Sequence, residues 1–152
     1  MKPIKCIQIC SGISAPSEAV RNRNWKTVRY SEIDPYAIKY YEARNPNSGD
    51  NLGNLSNITE EQIRAIGEFD IAIASLPCQS FSISGNRRGF EDDRGNLFYD
   101  FLRIIRVARP SYLVMENVKG LVSHDKGKTL ATIEAELEKL DYQTEWNIVN
   151  SK

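Results

Sequence analysis

Short apolar runs alternate with amphipathic stretches along this chain, and the hydrophobic period switches between strand-like and helix-like as it does so. "IKCIQIC" (residues 4–10) predicts a first strand, followed by the turn "SGISAP" and a brief helix from about Ser17 to Arg23. "TVRYSEI" (27–33) predicts a second strand. "DPYAIKYYEAR" predicts a helix with Asp34 as N-cap and Pro35 at the first helical position. "NLGNLSNI" reads as a loop holding at most a short strand. In "TEEQIRAIG", Thr59 and Gln62 have capping-box spacing and Gly67 stops the helix. "FDIAIASL" (69–76) is apolar on both faces, as the centre of a parallel sheet requires. A polar loop spans 80–95. "NLFYDFLRIIRVA" then predicts a helix with an inward stripe of Leu97, Phe101, Ile104, Ile105 and Ala108. "SYLVMEN" predicts another central strand, Leu130, Ile133, Leu137 and Leu140 mark a last helix, and "QTEWNIV" predicts a final strand. There is no internal repeat. This alternation predicts an α/β fold with a mostly parallel sheet.

The chain has 152 residues, enough for one domain, with 41% apolar and 26% charged positions, a globular composition. Lys+Arg and Asp+Glu balance at 20 each, so any attraction for nucleic acid must be local. "MKPIKCIQIC" has too short an apolar run for a signal peptide, and no stretch approaches a membrane span, so a cytoplasmic location without membrane contact is expected. The cysteines are Cys6, Cys10 and Cys78. On one strand, Cys6 and Cys10 stand roughly 13 Å apart, beyond the Cα separation of about 4.4–6.8 Å that a disulfide needs. His124 is the only histidine, and no Cys/His cluster has zinc spacing, so no metal is expected.

In open α/β sheets, ligands bind beyond the carboxyl ends of the strands. Ser11-Gly12, Glu32, Pro77-Cys78-Gln79 and Glu116-Asn117 fall there. Glu32 follows the Ser-Gly turn at the spacing at which a carboxylate accepts from a nucleotide-type ribose. "CSGISAP" has one glycine where the dinucleotide fingerprint needs three, which favours an adenosine-bearing ligand without a pyrophosphate. A thiolate at Cys78 is a suitable nucleophile for an electron-poor ring, and an acid at Glu116 can protonate a ring nitrogen. From spacing alone, burial as a small apolar side chain, the usual fate of a free cysteine, stands ahead of that chemistry. A strand-end glutamate is likewise more often a solvated rim charge.

"SLPCQSFSISGNRRGFEDDRGNLF" followed by "VMENVKGLVSHDKGKTL" resembles the DNA (cytosine-5) methyltransferases of bacterial restriction-modification systems and phages, and "CSGISAPSEA" and "YSEIDPYAIKYY" are similar to that family's first cofactor motifs. The resemblance covers essentially the whole chain. It implies a Rossmann-like sheet, S-adenosyl-L-methionine as cofactor, double-stranded DNA as substrate, and a cytosine flipped out of the duplex. Cys78 matches the thiolate that attacks carbon 6, and Glu116 the acid that contacts N3 and the amino group, with Pro77 and Asn117 ordering the site. Ser82, Ser84, Arg87, Arg88 and Arg94 match the loop that closes on DNA. Glu32 matches the ribose carboxylate and Ile33 the apolar contact to adenine; Ser11, Gly12 and Ile13 match the turn under the methionine, and Leu97 a pocket wall. Cys10 stands where an aromatic residue is frequent, Ser14-Ala15 where Gly-Gly is usual, and Asn54, before Leu55, where an aspartate accepts from the adenine amino group.

After "DYQTEWNIVNSK" the family continues into a Gln-x-Arg-x-Arg motif, a recognition domain and segments that complete the sheet. The chain is therefore expected to be one incomplete catalytic domain, residues 1–152, truncated at a sheet edge and without the base-reading surface. Three readings follow: the catalytic half of a split methyltransferase that needs a complementing C-terminal polypeptide; a non-catalytic fragment that binds the cofactor or a protein; and an RNA methyltransferase relative, which the 80–95 loop disfavours. Exposed sheet edges also permit self-association.

Overall fold

A strand can lie in the middle of a sheet only if both its faces can leave water, and two segments of this chain qualify. The computed structural model describes residues 1–21, 23–77 and 97–150. In it β1 (Ile4–Ile9) and β3 (Ile71–Ala74) are the two inner strands, flanked by β2 (Trp25–Ser31) and β4 (Tyr112–Met115) in the order β2-β1-β3-β4. All three pairings are parallel. Cys6, Ile7, Gln8 and Ile9 of β1 and all four residues of β3 are buried. The expected α/β architecture is thus present.

The helices begin where local chemistry says they should. Asp34 caps α2 (Pro35–Arg44) by accepting from the N–H groups of Tyr36 and Ala37, each at 2.8 Å. Thr59 and Gln62 exchange both bonds of a capping box at the start of α3 (Glu60–Ile66), and Gly67, with φ of 75°, ends it. The first helix, α1 (Ala15–Val20), starts two residues earlier than the sequence suggests. In α4 (Leu97–Ala108) the buried side is wider than the predicted stripe: Phe98 and Leu102 join Phe101, Ile104 and Ile105 inside, while Leu97 and Ala108 are half-buried. Tyr41 of α2 stacks on Tyr30 of β2 with ring centroids 4.0 Å apart, fastening that helix to the sheet.

Two strand expectations are corrected. "SYLVMEN" does not lie in the sheet centre: β4 pairs with β3 alone among the described residues, and Tyr112 and Val114 are exposed. "QTEWNIV" forms no strand; its residues are irregular and exposed. Alternation of polar and apolar side chains prepares a segment for a sheet, but a strand exists only where a neighbour fills its N–H and C=O groups. The loop expected at 51–58 does hold a vestigial strand, a parallel bridge from Asn51 to Tyr30, followed by a 3-10 turn at Leu55–Asn57.

Residues Met1–Glu116 form one compact unit and Asn117–Lys152 a second. In the second, a 3-10 segment (Lys119–Gly127) leads into α5 (Lys128–Glu138), which buries Thr129, Ile133 and Leu137. The join is sharply kinked: Asp125, Lys126 and Gly127 all have left-handed backbone. His124 Nδ1 lies 2.6 Å from Thr129 Oγ1 across that kink.

The ladder between β1 and β2 shifts register after Cys6, which pairs with Thr27 while Ile7 pairs with Arg29. The connection leaving α2 passes directly over this irregularity. Gly49 N donates to Thr27 O at 3.2 Å, and a Cβ on Gly49 would stand 1.7 Å from the Val28 carbonyl oxygen. Main chain cannot yield there without breaking the edge of the sheet. Gly49→Ala is expected to lower stability by about 1–3 kcal/mol; an unchanged urea-unfolding midpoint would contradict this packing.

Candidate active site

The carboxyl end of β1 turns at Cys10–Ser14, a stretch with three left-handed residues: Cys10 (φ 52°), Gly12 (φ 52°) and Ser14 (φ 71°). Only glycine adopts that conformation without penalty, so Ser14 is held there by its surroundings. It is buried, and its hydroxyl lies 3.5 Å from Gln8 Oε1. Beside the turn stands Glu32, at the end of β2. Its Oε2 accepts from Gly12 N at 2.8 Å, and its Oε1 from Ile33 N at 2.7 Å and Asp34 N at 3.0 Å. One carboxylate thus joins the ends of two strands and the entrance of α2. A carboxylate offers about four lone-pair positions, so these three bonds leave room for a ligand hydroxyl.

Three features of this corner fit an adenosine-bearing cofactor. Ser11 Oγ is buried and has no hydrogen-bond partner among the described residues, the condition of a polar atom that a ligand would satisfy. The space that a Cβ would take at Gly12 is empty to 4 Å. Ile13 and Ile33 are exposed at 62% and 69%, apolar surface in water beside the carboxylate. Cys10 is half-buried in the same turn.

Asn54 and Leu55 stand at the start of the 3-10 turn. Asn54 Oδ1 caps the 3-10 turn by accepting from Ser56 N at 3.0 Å, and Leu55 is buried in the core. Arg103 of α4 secures this turn, donating to the main-chain oxygens of Leu55 and Ile58. Leu97 is half-buried at the start of α4. Sequence reasoning passed over Asn51, whose carboxamide bonds the main chain of Glu32 at both N–H and C=O. No motif marks it; an asparagine shortly before a glycine is ordinary turn composition.

At the next strand ends the ladder runs to its limit. Ser75 N donates to Ile9 O at 3.1 Å and Glu116 N to Ala74 O at 2.9 Å. This brings exposed Pro77, just past β3, and exposed Glu116, just past β4, to neighbouring strand ends. Asn117 opens the second unit, its Oδ1 accepting from Val118 N at 2.9 Å. Cys78, Ser82, Ser84, Arg87, Arg88 and Arg94 lie outside the described residues.

No group of His, Cys, Asp and Glu among the described residues could hold a metal ion, and no described helix is long and apolar enough to cross a membrane. A groove of about 540 Å³ lies at the opposite, amino end of β2, lined in part by Trp25, Lys26 and Arg44. Glu18 bonds both Arg21 and Arg44 there, so two of its cations are already paired and it brings no reactive group together. Burial pushes the Cys6 thiol up, only partly opposed by its contact with Thr27. Burial, aided by the Glu32 carboxylate, pushes Cys10 up to about 11. Both remain thiols at neutral pH, and only thiolate is a strong nucleophile.

The raised Cys10 value has a stability consequence. An unfolded chain releases this proton near the ordinary value of 9.0 and the folded chain only near about 11, so between the two the unfolded state binds fewer protons. Stability is therefore complete below about pH 9 and falls as pH rises towards 11. Urea-unfolding midpoints measured across that window are expected to fall less steeply for Cys10→Ser than for wild type; equal slopes would contradict the burial of this thiol.

A model of the C-5 cytosine-specific DNA methylase family matches residues 4–152. The chain is 40% identical to the orphan methyltransferase M.Rho11sI of Bacillus phage rho11s over 155 aligned positions, covering all of this chain and 30% of that protein. It is 36% identical to the type II methyltransferase M.HhaI of Haemophilus parahaemolyticus, covering 97% of this chain and 44% of that one. The chain thus spans less than half the length of these curated relatives. Its fold is similar to that of the S. pombe Dnmt2 methyltransferase, with a TM-score of 0.67 at 22% identity over 87% of this chain and 41% of that one. With a family match running from β1 to the last residue, on the parallel sheet described above, the chain belongs to the C-5 cytosine-specific DNA methylase family.

Proposed function

We propose that this chain carries the S-adenosylmethionine site and the nucleophile of an enzyme that methylates carbon 5 of cytosine in duplex DNA. The observation that carries the proposal is the Glu32 carboxylate, fixed by three main-chain N–H groups between the Gly12 turn and α2, on a chain whose family match includes both "PCQ" and "ENV". Glu32 accepts from the ribose hydroxyls, Ser11, Gly12 and Ile13 line the methionine end, and Ile33 and Cys10 flank the adenine. Asn54, Leu55 and Leu97 contribute the outer wall of that pocket. When bound, S-adenosylmethionine supplies an electrophilic methyl group.

The protein's own part in the reaction starts with a cytosine flipped out of the stack. The Cys78 thiolate adds to carbon 6 while Glu116 holds a proton at N3, so that charge does not build up on the ring. Carbon 5, now nucleophilic, takes the methyl group; loss of its proton and expulsion of the thiolate restore the aromatic ring. Pro77 and Asn117 order the two reacting groups, and Ser82, Ser84, Arg87, Arg88 and Arg94 contact the DNA from their loop. Cys6 and Cys10, held as thiols, do not compete.

Base recognition comes from a complementing C-terminal polypeptide. Support lies in β4, which pairs with β3 alone among the described residues and whose Tyr112 and Val114 are exposed, since an open edge accepts another strand. The same edge would serve self-association.

The test is covalent trapping. The chain is mixed with S-adenosylmethionine, duplex DNA in which every cytosine is 5-fluorocytosine, and the C-terminal portion of the phage rho11s relative as a separate polypeptide. Fluorine blocks the release step, so a denaturation-stable adduct is expected from wild type and none from Cys78→Ala. Absence of any Cys78-dependent adduct in the mixture would overturn the proposal.

A further inference from the structure

Beyond Thr27, whose carbonyl accepts from Gly49 N, the outer side of β2 is covered for only one further rung. Tyr30 N donates to Asp50 O at 3.5 Å and Leu52 N to Tyr30 O at 2.7 Å, after which the 50–53 segment turns away. Glu32, the next residue facing that side, meets the Asn51 side chain instead. Asn51 Oδ1 accepts from Glu32 N at 3.1 Å, and its Nδ2 donates to Glu32 O at 3.0 Å. A carboxamide has the donor and acceptor of a peptide group, so Asn51 supplies the rung that the main chain no longer provides. The same Oδ1 accepts from Gly53 N at 2.9 Å, and Ser31 Oγ donates to Gly53 O at 2.7 Å. Reversing the amide would set an NH₂ against two N–H donors, so the network fixes its orientation.

We propose that Asn51 is a positioning residue for the cofactor. It holds the main chain of Glu32 so that the carboxylate, itself gripped by the N–H groups of Gly12, Ile33 and Asp34, keeps its remaining lone pair aimed at a ribose hydroxyl. Glutamate has three side-chain torsions, and a free main chain beneath it would add more freedom to freeze on binding. The cost of losing Asn51 therefore falls on ligands that use the carboxylate. The inference rests on Glu32 as the ribose acceptor.

Calorimetry on the full chain with S-adenosylhomocysteine and its 2′,3′-dideoxy analogue separates the two ideas. Wild type that fails to prefer the hydroxylated ligand would overturn the ribose reading itself, and the Asn51 role with it. Given that preference, Asn51→Ala is expected to weaken S-adenosylhomocysteine about tenfold and the dideoxy analogue less than about twofold. Equal losses on both ligands, as a general loosening of the loop would give, or no loss on either, would overturn the Asn51 role while leaving Glu32 in place. If Asn51→Ala does not fold, Asn51→Asp decides: it keeps both accepted bonds and loses the donated one. A smaller loss confined to the hydroxylated ligand supports the proposal; equal losses on both ligands, or none, overturn it.

Discussion

Three main-chain N–H groups point into the Glu32 carboxylate: two from the residues that follow it, Ile33 and the α2 N-cap Asp34, and one, Gly12, that folding must bring from the turn after β1. Bonds from N–H groups to a charged acceptor are stronger than neutral ones, and here they set the corner on which the cofactor reading depends. Gly12 accepts a left-handed turn without cost, and the Gly12 N–H is thereby turned towards β2. Asn51 secures the other side of the same residue. The corner is thus fixed from both sides before any ligand arrives, which limits the ordering cost of binding.

The inner strands make this corner possible. β1 and β3 are buried on both faces, so the groups they can offer a ligand lie at their ends, and parallel pairing puts those ends on one side. Ser75 and Glu116 extend the ladder to its last rung, which brings Pro77 and Glu116 to adjacent strand ends. The burial that builds the sheet also raises the thiol values of Cys6 and Cys10.

What the sequence disclosed was local or carried by motif. Asp34 and the Thr59–Gln62 pair named their own caps, because a cap is a contact over three residues. Glu32 was found by its distance from the Ser-Gly turn. Non-local facts were hidden. The alternation in "QTEWNIV" prepared a strand that has no ladder here, and the apolar "SYLVM" was indistinguishable from a central strand although it lies at an edge. Asn51 and Arg103 were missed because each acts on main chain far along the sequence, Glu32 and the Leu55–Ile58 turn. Ser14 shows the same limit from the other direction: a serine in place of the usual glycine still takes the left-handed turn, held by burial that composition does not reveal.

Backbone amide resonances report whether the Glu32 corner is the ribose site. Titration of the chain with S-adenosylhomocysteine is expected to shift the Gly12, Ile33 and Asp34 amide signals together and to saturation, since all three donate to the carboxylate that the ribose would share. Saturable binding that moves other amides and leaves these three unchanged would contradict the claim.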